Sequence, residues 1–579
     1  MRVISKNSRL SQPTHKVKVA VNVKVPMRDG VKLATDIYQP DAEGRFPTIL
    51  VRLPYGKTEA YCEMPAFGWY FAKRGYVFVV QDVRGKYDSE GIFYPFVNEP
   101  DDGYVTQKWI ATQPWFNGKI GTFGMSYYGY TQWASAPLRN PNLKAMITLV
   151  TATDLYEEWF YINGTFNLYA ALGWMYLCCG AKAMLFHDVE PGLIPINWTH
   201  LPLITADEVA GQAVKCYKDI IKHPNRDSYW KGKTSDYPFD QVAVPVLHIA
   251  GWYDIFLRGQ LKDYVVMNNR AATTEARRNQ KLIVAACHHE IAGFKPLGER
   301  GFGPGKDIDF GPNADPDLNA ICLRWFDYWL KGIDNGIIDE PPVRIFIMGE
   351  TVWRYENEWP LARTRYTKYY FHSDGRANSM YGDGTLNTKA PETSEPPDTY
   401  VYDPNDPIPF AAEDLGYFIT TLKDQRIIEK RDDVLVYTTP PLKDAVEVTG
   451  PLSVKLYASS TAKDTDFTAK LVNVHPHGHA QHIQEGIIRS RYRESRENPS
   501  LIELGKVYEY TIDLWATSNL FKTGQKIRVE VSSSNFPRFD RNPNTGHEFG
   551  MDAETVPATQ KIYHDKKHPS HILLPIIPR

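Results

Sequence analysis

Three short apolar runs, each closed by glycine or proline, constrain this chain most. They are FPTILVRLPYG, GYVFVVQDVRG and KIGTFGMSYYG, beginning at Phe46, Gly75 and Lys119. A short run that is apolar throughout suits a strand covered on both faces, as in a parallel sheet. Between the runs lie FGWYFAKR and DDGYVTQKWIAT, which carry helical spacing. Strand and helix therefore alternate, and the first part is expected to be α/β with a parallel sheet. Ahead of it, KVAVNVKVPMRDGVKLATDIYQP alternates apolar and polar residues around Arg28-Asp29-Gly30, a β-hairpin pattern.

The pattern changes near Leu155. YEEWFYINGTFNLYAALGWMYLCCGAKAMLF is aromatic and apolar with helical spacing, and ADEVAGQAVKCYKDIIKHP continues it. We read a helical insertion that closes near YWKGKTSDYPFD. Strands return in VPVLHIAGWYD and KLIVAAC, and LNAICLRWFDYWLKG is an amphipathic helix stopping at Gly332. Past Val343 come alternating strands, among them TKYYFHS, VEVTGPLSVKLYASS, FTAKLVNV and QKIRVEVSSS, which argue for an all-β sandwich. NTKAPETSEPPDTYVYDPNDPIP reads as a long polar surface loop. The expected divisions are residues 1–154 and 239–355 for the α/β part, 155–238 for the insertion and 356–579 for the β-sandwich.

The formal net charge of −2 leaves no footprint for nucleic acid or an anionic membrane. Six scattered cysteines without a Cys-x-x-Cys pair point to reduced thiols and a cytoplasmic site. MRVISKNSRLSQPTHK has no apolar signal core, and the apolar stretch Ala170 to Ala181 is too short to span a bilayer. It reads as a buried helix.

GTFGMSYYG sets Ser126 between Gly124 and Gly129, directly after an apolar run. It reads as the Gly-x-Ser-x-Gly kind of strand-to-helix turn, where small neighbours let the backbone pass close to itself. Alone the motif is weak. A serine nucleophile also needs a base, an acid and oxyanion donors, with the triad in the chain order Ser, Asp, His at strand ends. VLHIAGWYD supplies Asp254, and KLIVAAC runs into His288-His289. His248 lies inside a strand and reads as a core histidine. The backbone N–H of Tyr127 is one candidate oxyanion donor, and the loop RLPYGK is expected to supply the second.

LPYGK, QDVRGKYDSEG, QPWFNGKIGTFGMSYYG, GWYDIF, WFDYWLKG and SSNFPRFDRNPNTG resemble the bacterial cocaine esterase-like hydrolases, relatives of the α-amino acid ester hydrolases and X-Pro dipeptidyl-peptidases. The resemblance spans roughly residues 20 to 575. It implies an α/β-hydrolase domain with an inserted helical cap, followed by an all-β jelly-roll sandwich. It also implies Ser126 as nucleophile, Asp254 as acid and the Tyr55 hydroxyl as second oxyanion donor. The family usually carries Gly-Pro-Trp-x-His before its histidine, and here the place reads AACHHE. Matching Ala285 to that glycine makes His289 the base, with His288 as the alternative.

Glu157, Glu158 and Trp159 open the insertion and Phe256 follows Asp254, so these four are candidate pocket residues. The two glutamates read either as solvated helix charges or as partners for a substrate amine. Asp82, Arg84 and Asp88 are expected to fix a loop. HPHGHAQH, residues 475–482, reads as a solvated turn with no carboxylate joining it, and GHEFGM lacks the second histidine of a zinc protease. No metal and no cofactor is expected. The expected activity is hydrolysis of small-molecule esters, with amides as a second class, through an acyl-enzyme. The alternative is an α-aminoacyl enzyme needing a free ammonium. The sequence leaves the oligomeric state open, a homo-oligomer included.

Overall fold

The computed structural model describes residues 10–59, 61–179, 196–231, 236–289, 314, 316–416, 419–422 and 424–579. A ten-stranded mixed sheet is built from β1 (Val17–Pro26), β2 (Lys32–Pro40), β3 (Phe46–Leu53), β4 (Val77–Asp82), β5 (Phe116–Met125) and β6 (Leu143–Leu149). A two-residue pair, β7 (Tyr161–Ile162) and β8 (Thr165–Phe166), stands apart from it. The sheet resumes with β9 (Val246–Gly251), β10 (Lys281–Ala285), β11 (Val343–Ile347) and β12 (Val352–Glu356). Its order is β1-β2-β4-β3-β5-β6-β9-β10-β11-β12. From β4 to β11 neighbours run parallel, and the hairpin β1–β2 and the strand β12 add antiparallel edges.

β4 lies on one side of β3 and β5 on the other. The chain therefore reverses its winding between β3 and β5. Loops leaving the carboxyl ends of two such strands diverge and leave a crevice between them. Helices α1 (Met64–Ala72), α2 (Glu99–Ala111) and α3 (Ser126–Ser135) connect these strands. α2 begins with Pro at its first turn and carries Glu99, Asp101 and Asp102 there, which suits the positive end of the helix.

The segment after β6 holds α4 (Leu168–Cys179), α5 (Ala206–Val209) and α6 (Lys215–Ile221). α4 is buried on nearly every side, as its apolar sequence requires; the last two residues of the apolar stretch lie outside the described residues, as does part of YWKGKTSDYPFD. Two details depart from a purely helical reading. Tyr156–Phe160 forms one π-helical turn. Then β7 and β8 pair as a tiny hairpin through Asn163-Gly164, both at positive φ (49° and 78°). Asn-Gly favours that two-residue turn more strongly than helical spacing favours continuation. α7 (Leu257–Arg270) and α8 (Thr274–Arg278) lie between β9 and β10, and α9 (Leu318–Lys331) follows β10. Asp317 caps α9 by accepting from the Ala320 N–H, and Gly332 ends it at φ 72°.

Eleven of the strands that follow form a second sheet with its own core, including Leu435, Val454, Phe467, Ile512 and Val529, while Ala412–Gly416 and Ile419–Leu422 pair as a separate two-stranded sheet. DTYVY, expected in a surface loop, is instead the strand Asp398–Tyr402, paired antiparallel with Ala558–Tyr563. Its alternation buries Asp398, Tyr400 and Tyr402, and that outweighs the proline-rich flanks. A shared apolar cluster with Trp252, Leu257, Phe346, Trp515, Ala516 and Phe539 joins the two sheets' regions. Among the described residues no helix is long and apolar enough to cross a membrane.

A buried ionic cluster sits in the second core. His564 is wholly buried, with Nδ1 2.9 Å from Glu395 Oε2 and Nε2 2.9 Å from Asp398 Oδ2. Tyr437 donates to the same Asp398 oxygen, and His372 meets the other oxygen of Glu395. Burial opposes the imidazolium, but the bonds and charges of Asp398 and Glu395 outweigh it and raise the His564 pKa. The Asp398 carboxyl is held below its ordinary value by His564 and other donors, against the effect of burial. A raised histidine pKa contributes stability that is complete below the unfolded value, about 6.5, and lost as pH rises through the folded value. His564→Gln should therefore cost about 2 kcal/mol, or roughly 5 °C in Tm, at pH 6. At pH 9 the difference should shrink markedly. Thermal melts at both pH values check this, and an equal loss at both would contradict it.

Candidate active site

β5 ends at Met125 and α3 starts at once with Ser126 at φ 52°. That is a left-handed conformation a serine rarely adopts, and it is stored at the turn. The Ser126 N–H donates to Val150 O, and Thr151 Oγ1 donates to Ser126 O. The neighbouring glycines follow from the crowding. A Cβ on Gly124 would lie 2.4 Å from Tyr128 O, and one on Gly129 would lie 2.7 Å from Thr151 Cβ. The second glycine stands three residues after the serine rather than two, because it is the Gly129 position that meets Thr151.

Asp254 lies in the turn after β9 and is wholly buried. Its Oδ2 accepts from the Phe256 N–H at 3.1 Å, and its Oδ1 lies 2.7 Å from His289 Nδ1. The other ring nitrogen, Nε2, is 2.9 Å from Ser126 Oγ. His289 follows β10, three strands across from β5, and it is this histidine and not His288 that bridges Ser126 and Asp254. The three residues are 7 %, 2 % and 0 % exposed, in the order serine, histidine, aspartate, so water barely competes for these bonds.

Tyr55 sits just beyond β3, across the crevice from Ser126's strand. Its loop is pinned from below. The Lys57 N–H donates to Asp82 Oδ1 at 2.7 Å, and Lys57 Nζ reaches Asp82 and Asp88. Gly56, at φ 86°, leaves room for Glu59 and Tyr87. Arg84 ties Asp29 to Asp102 alongside. Asp82, Arg84 and Asp88 are thus loop braces. Burial raises the Tyr55 pKa well above the ordinary tyrosine value, so the phenol keeps its proton. The Tyr55 oxygen accepts a 2.9 Å bond from the Trp174 indole N–H. Tyr127 opens α3, where backbone N–H groups have no intrahelical acceptor. Its hydroxyl faces away, donating to Glu99.

Aromatic rings continue the wall. Phe256 lies 5.4 Å from the His289 ring, Trp159 stacks on Phe256 at 4.7 Å, and Trp174 meets Trp159 edge-on at 5.4 Å. Glu157 and Glu158 are not solvated helix charges. Both pair with Arg258 of α7, Glu158 at 2.8 Å, and Glu157 also meets Arg496. Burial raises the Glu158 pKa to about 6, against the pull of Arg258. Trp174 is a residue that sequence reasoning missed. A tryptophan in a helix buried all round signals an N–H in need of an acceptor, but not which one.

Other histidines have other partners. His248 bonds Gln280 and Gln260 in the core, and burial lowers its pKa to about 4. His475, His477 and His479 lie at the turn before the strand Ala480–Arg489, and His482 is buried within that strand. Contrary to expectation, carboxylates do join them: Asp424 lies 3.3 Å from His479, and Glu485 lies 3.1 Å from His482. They are two different carboxylates brought in by folding. His547 of GHEFGM meets Asp552, and with Glu554 the three offer ligand atoms within 4.8 Å of one another on a largely exposed loop.

Comparison with known proteins bears on this geometry. Residues 29–290 match the family model described as X-Pro dipeptidyl-peptidase (S15 family), and residues 335–573 match the X-Pro dipeptidyl-peptidase C-terminal non-catalytic domain. The chain therefore has a two-part architecture, a catalytic region followed by a distinct carboxyl-terminal domain. A cocaine esterase from Rhodococcus sp. (strain MB1 Bresler) is 39% identical over 97% of this chain and 99% of its own length. An aminopeptidase from a marine sediment Thaumarchaeota archaeon superposes with TM-score 0.83 at 27% identity, over 98% of this chain and 97% of the other. An α-amino acid ester hydrolase does so with TM-score 0.80 at 25% identity, over the same shares. Near-complete coverage at such identity extends over the serine turn, the aspartate turn and the second domain alike. The chain belongs to the cocaine esterase-like family of serine ester hydrolases.

Proposed function

We propose that this hydrolase cleaves esters of apolar acyl groups through an acyl-enzyme at Ser126. His289 takes the serine proton as Oγ attacks the carbonyl carbon, and returns it to the departing alcohol. Asp254 holds the imidazole in the tautomer with Nδ1–H and steadies its charged form. The Tyr55 hydroxyl and the Tyr127 N–H receive the oxyanion, helped by the positive end of α3. Water, activated by His289, then releases the acid. The observation that carries this reading is the buried chain Ser126 Oγ, His289, Asp254, with 2.9 and 2.7 Å links. The ring series Phe256, Trp159 and Trp174 supports an apolar acyl group. The finer fold reading goes with it: an α/β-hydrolase domain over 1–154 and 239–355, a helical cap over 155–238 and a jelly-roll sandwich over 356–579. Six scattered cysteines without a Cys-x-x-Cys pair support a cytoplasmic enzyme.

A second reading, recognition of a free α-ammonium, is favoured by the likeness to an aminopeptidase and an α-amino acid ester hydrolase. Against it, Glu157 and Glu158 are already paired within the protein, with Arg258 and Arg496. The test compares 4-nitrophenyl butyrate and benzoate with the 4-nitrophenyl esters of alanine and N-acetylalanine. Simple acyl esters should turn over well, and acetylating the amine should not harm the alanine ester. A strict requirement for the free amine would overturn the first reading in favour of the second.

A further inference from the structure

We infer that Trp174 is a positioning residue that aims the Tyr55 hydroxyl at the oxyanion. The inference rests on the reading of Tyr55 as an oxyanion donor. Trp174 lies on α4, in the inserted segment, 119 residues from Tyr55 in sequence, and is wholly buried. Its indole N–H donates to the Tyr55 oxygen at 2.9 Å. A phenol oxygen that accepts a bond along one direction must carry its own O–H along another. Accepting that bond also polarises the hydroxyl, so it donates more strongly.

The indole is itself held still. It stacks near-parallel on Phe96 at 5.7 Å and on Tyr127 at 5.8 Å, and Trp159 closes on it edge-on. Tyr127 in turn is fixed by its hydroxyl, which donates to Glu99 Oε1 and accepts the Phe96 N–H. One ring therefore touches both residues assigned to the oxyanion. It bonds the side chain of Tyr55 and packs on the side chain of Tyr127. The Tyr55 ring meets Tyr61 and Tyr128 edge-on, which restrains the ring but gives its hydroxyl no direction. The indole bond does give it one.

A bond of this kind acts on the transition state more than on the bound ester, because charge on the carbonyl oxygen is largest there. Trp174→Phe keeps an aromatic ring against Phe96 and Tyr127 and removes the N–H. It should lower kcat roughly five- to tenfold and move KM by no more than about twofold. Tyr55→Phe should lower kcat by about a hundred- to a thousandfold. The double variant Tyr55→Phe/Trp174→Phe should then be no slower than Tyr55→Phe alone, because the indole has no hydroxyl left to orient. Placing 3-benzothienylalanine at position 174 swaps the N–H for sulfur in a bicycle of the same shape. It should reproduce the kcat loss of Trp174→Phe without its packing change. If the two substitutions multiply, or if the sulfur isostere has full kcat, Trp174 acts only by packing and the inference falls. If instead Tyr55→Phe has normal kcat, it is the oxyanion reading of Tyr55 that fails, and the two failures are told apart.

Discussion

Ser126→Ala should lower kcat by about 10⁶-fold and leave the fold in place. The size of the effect follows from what the hydroxyl does. Ser126 Oγ is the hydroxyl set 2.9 Å from His289 Nε2, so the alanine variant has lost the group that attacks the ester. What survives is the oxyanion site and the pocket, which hold the ester but cannot cleave it covalently. The fold should be retained because the turn is secured by backbone and by neighbours. The Ser126 N–H still reaches Val150, and Thr151 still reaches the residue 126 carbonyl. The left-handed conformation costs an alanine about what it costs a serine. Burst kinetics with 4-nitrophenyl butyrate, circular dichroism and labelling with a serine-reactive phosphonate check this together. The phosphonate should mark Ser126 alone in the parent protein and nothing in the variant. An alanine variant with more than about a hundredth of the parent's turnover would remove Ser126 from the mechanism.

The parts of the fold legible in the sequence are those where local chemistry and tertiary environment agree. Residues 46–53 and 77–82 read as strands because a parallel strand covered on both faces is apolar throughout, and both are buried nearly end to end. Gly332 reads as a stop because only a residue free of a Cβ enters φ 72° without strain. Asp398–Tyr402 was hidden because prolines flank it, and its pairing partner is more than 150 residues away. The Asn163-Gly164 turn was legible in principle, but the helical spacing around it drew the wrong element.

The site divides the same way. Ser126 and Asp254 stand where a strand stops, and the end of an apolar run can be read directly. Choosing between His288 and His289 depends on the path of the chain after Ala285, which spacing alone does not give. The fate of Glu157 and Glu158 was not legible at all. A charged pair at the start of an apolar segment looks solvated until Arg258 is brought to it from another helix, a hundred residues on. The same holds for His479 with Asp424 and for Trp174 with Tyr55. Polar partners distant in sequence are selected by packing, and no local pattern encodes them.

Asp254→Asn should lower kcat by about 10⁴-fold, and the structure dictates why so small a change costs so much. The two carboxylate oxygens do different things. Oδ2 accepts the Phe256 backbone N–H, and Oδ1 faces His289 Nδ1. An asparagine amide must keep its oxygen on that backbone donor, because an NH₂ there would meet another N–H. Its NH₂ group then faces Nδ1 and donates to it. The imidazole is forced to carry its proton on Nε2, the nitrogen 2.9 Å from Ser126 Oγ. A protonated Nε2 cannot take the serine proton, so the base is switched off while every heavy atom stays where it was. The variant should therefore melt close to the parent. Its KM should stay near the parent value, and its phosphonate labelling should slow in step with kcat. Asp254→Ala leaves the Phe256 N–H without its acceptor, so it should lose stability as well as rate. Comparing Asn with Ala separates the tautomer from the scaffold. A kcat loss under about tenfold for Asp254→Asn would mean that this carboxylate only holds the turn after β9.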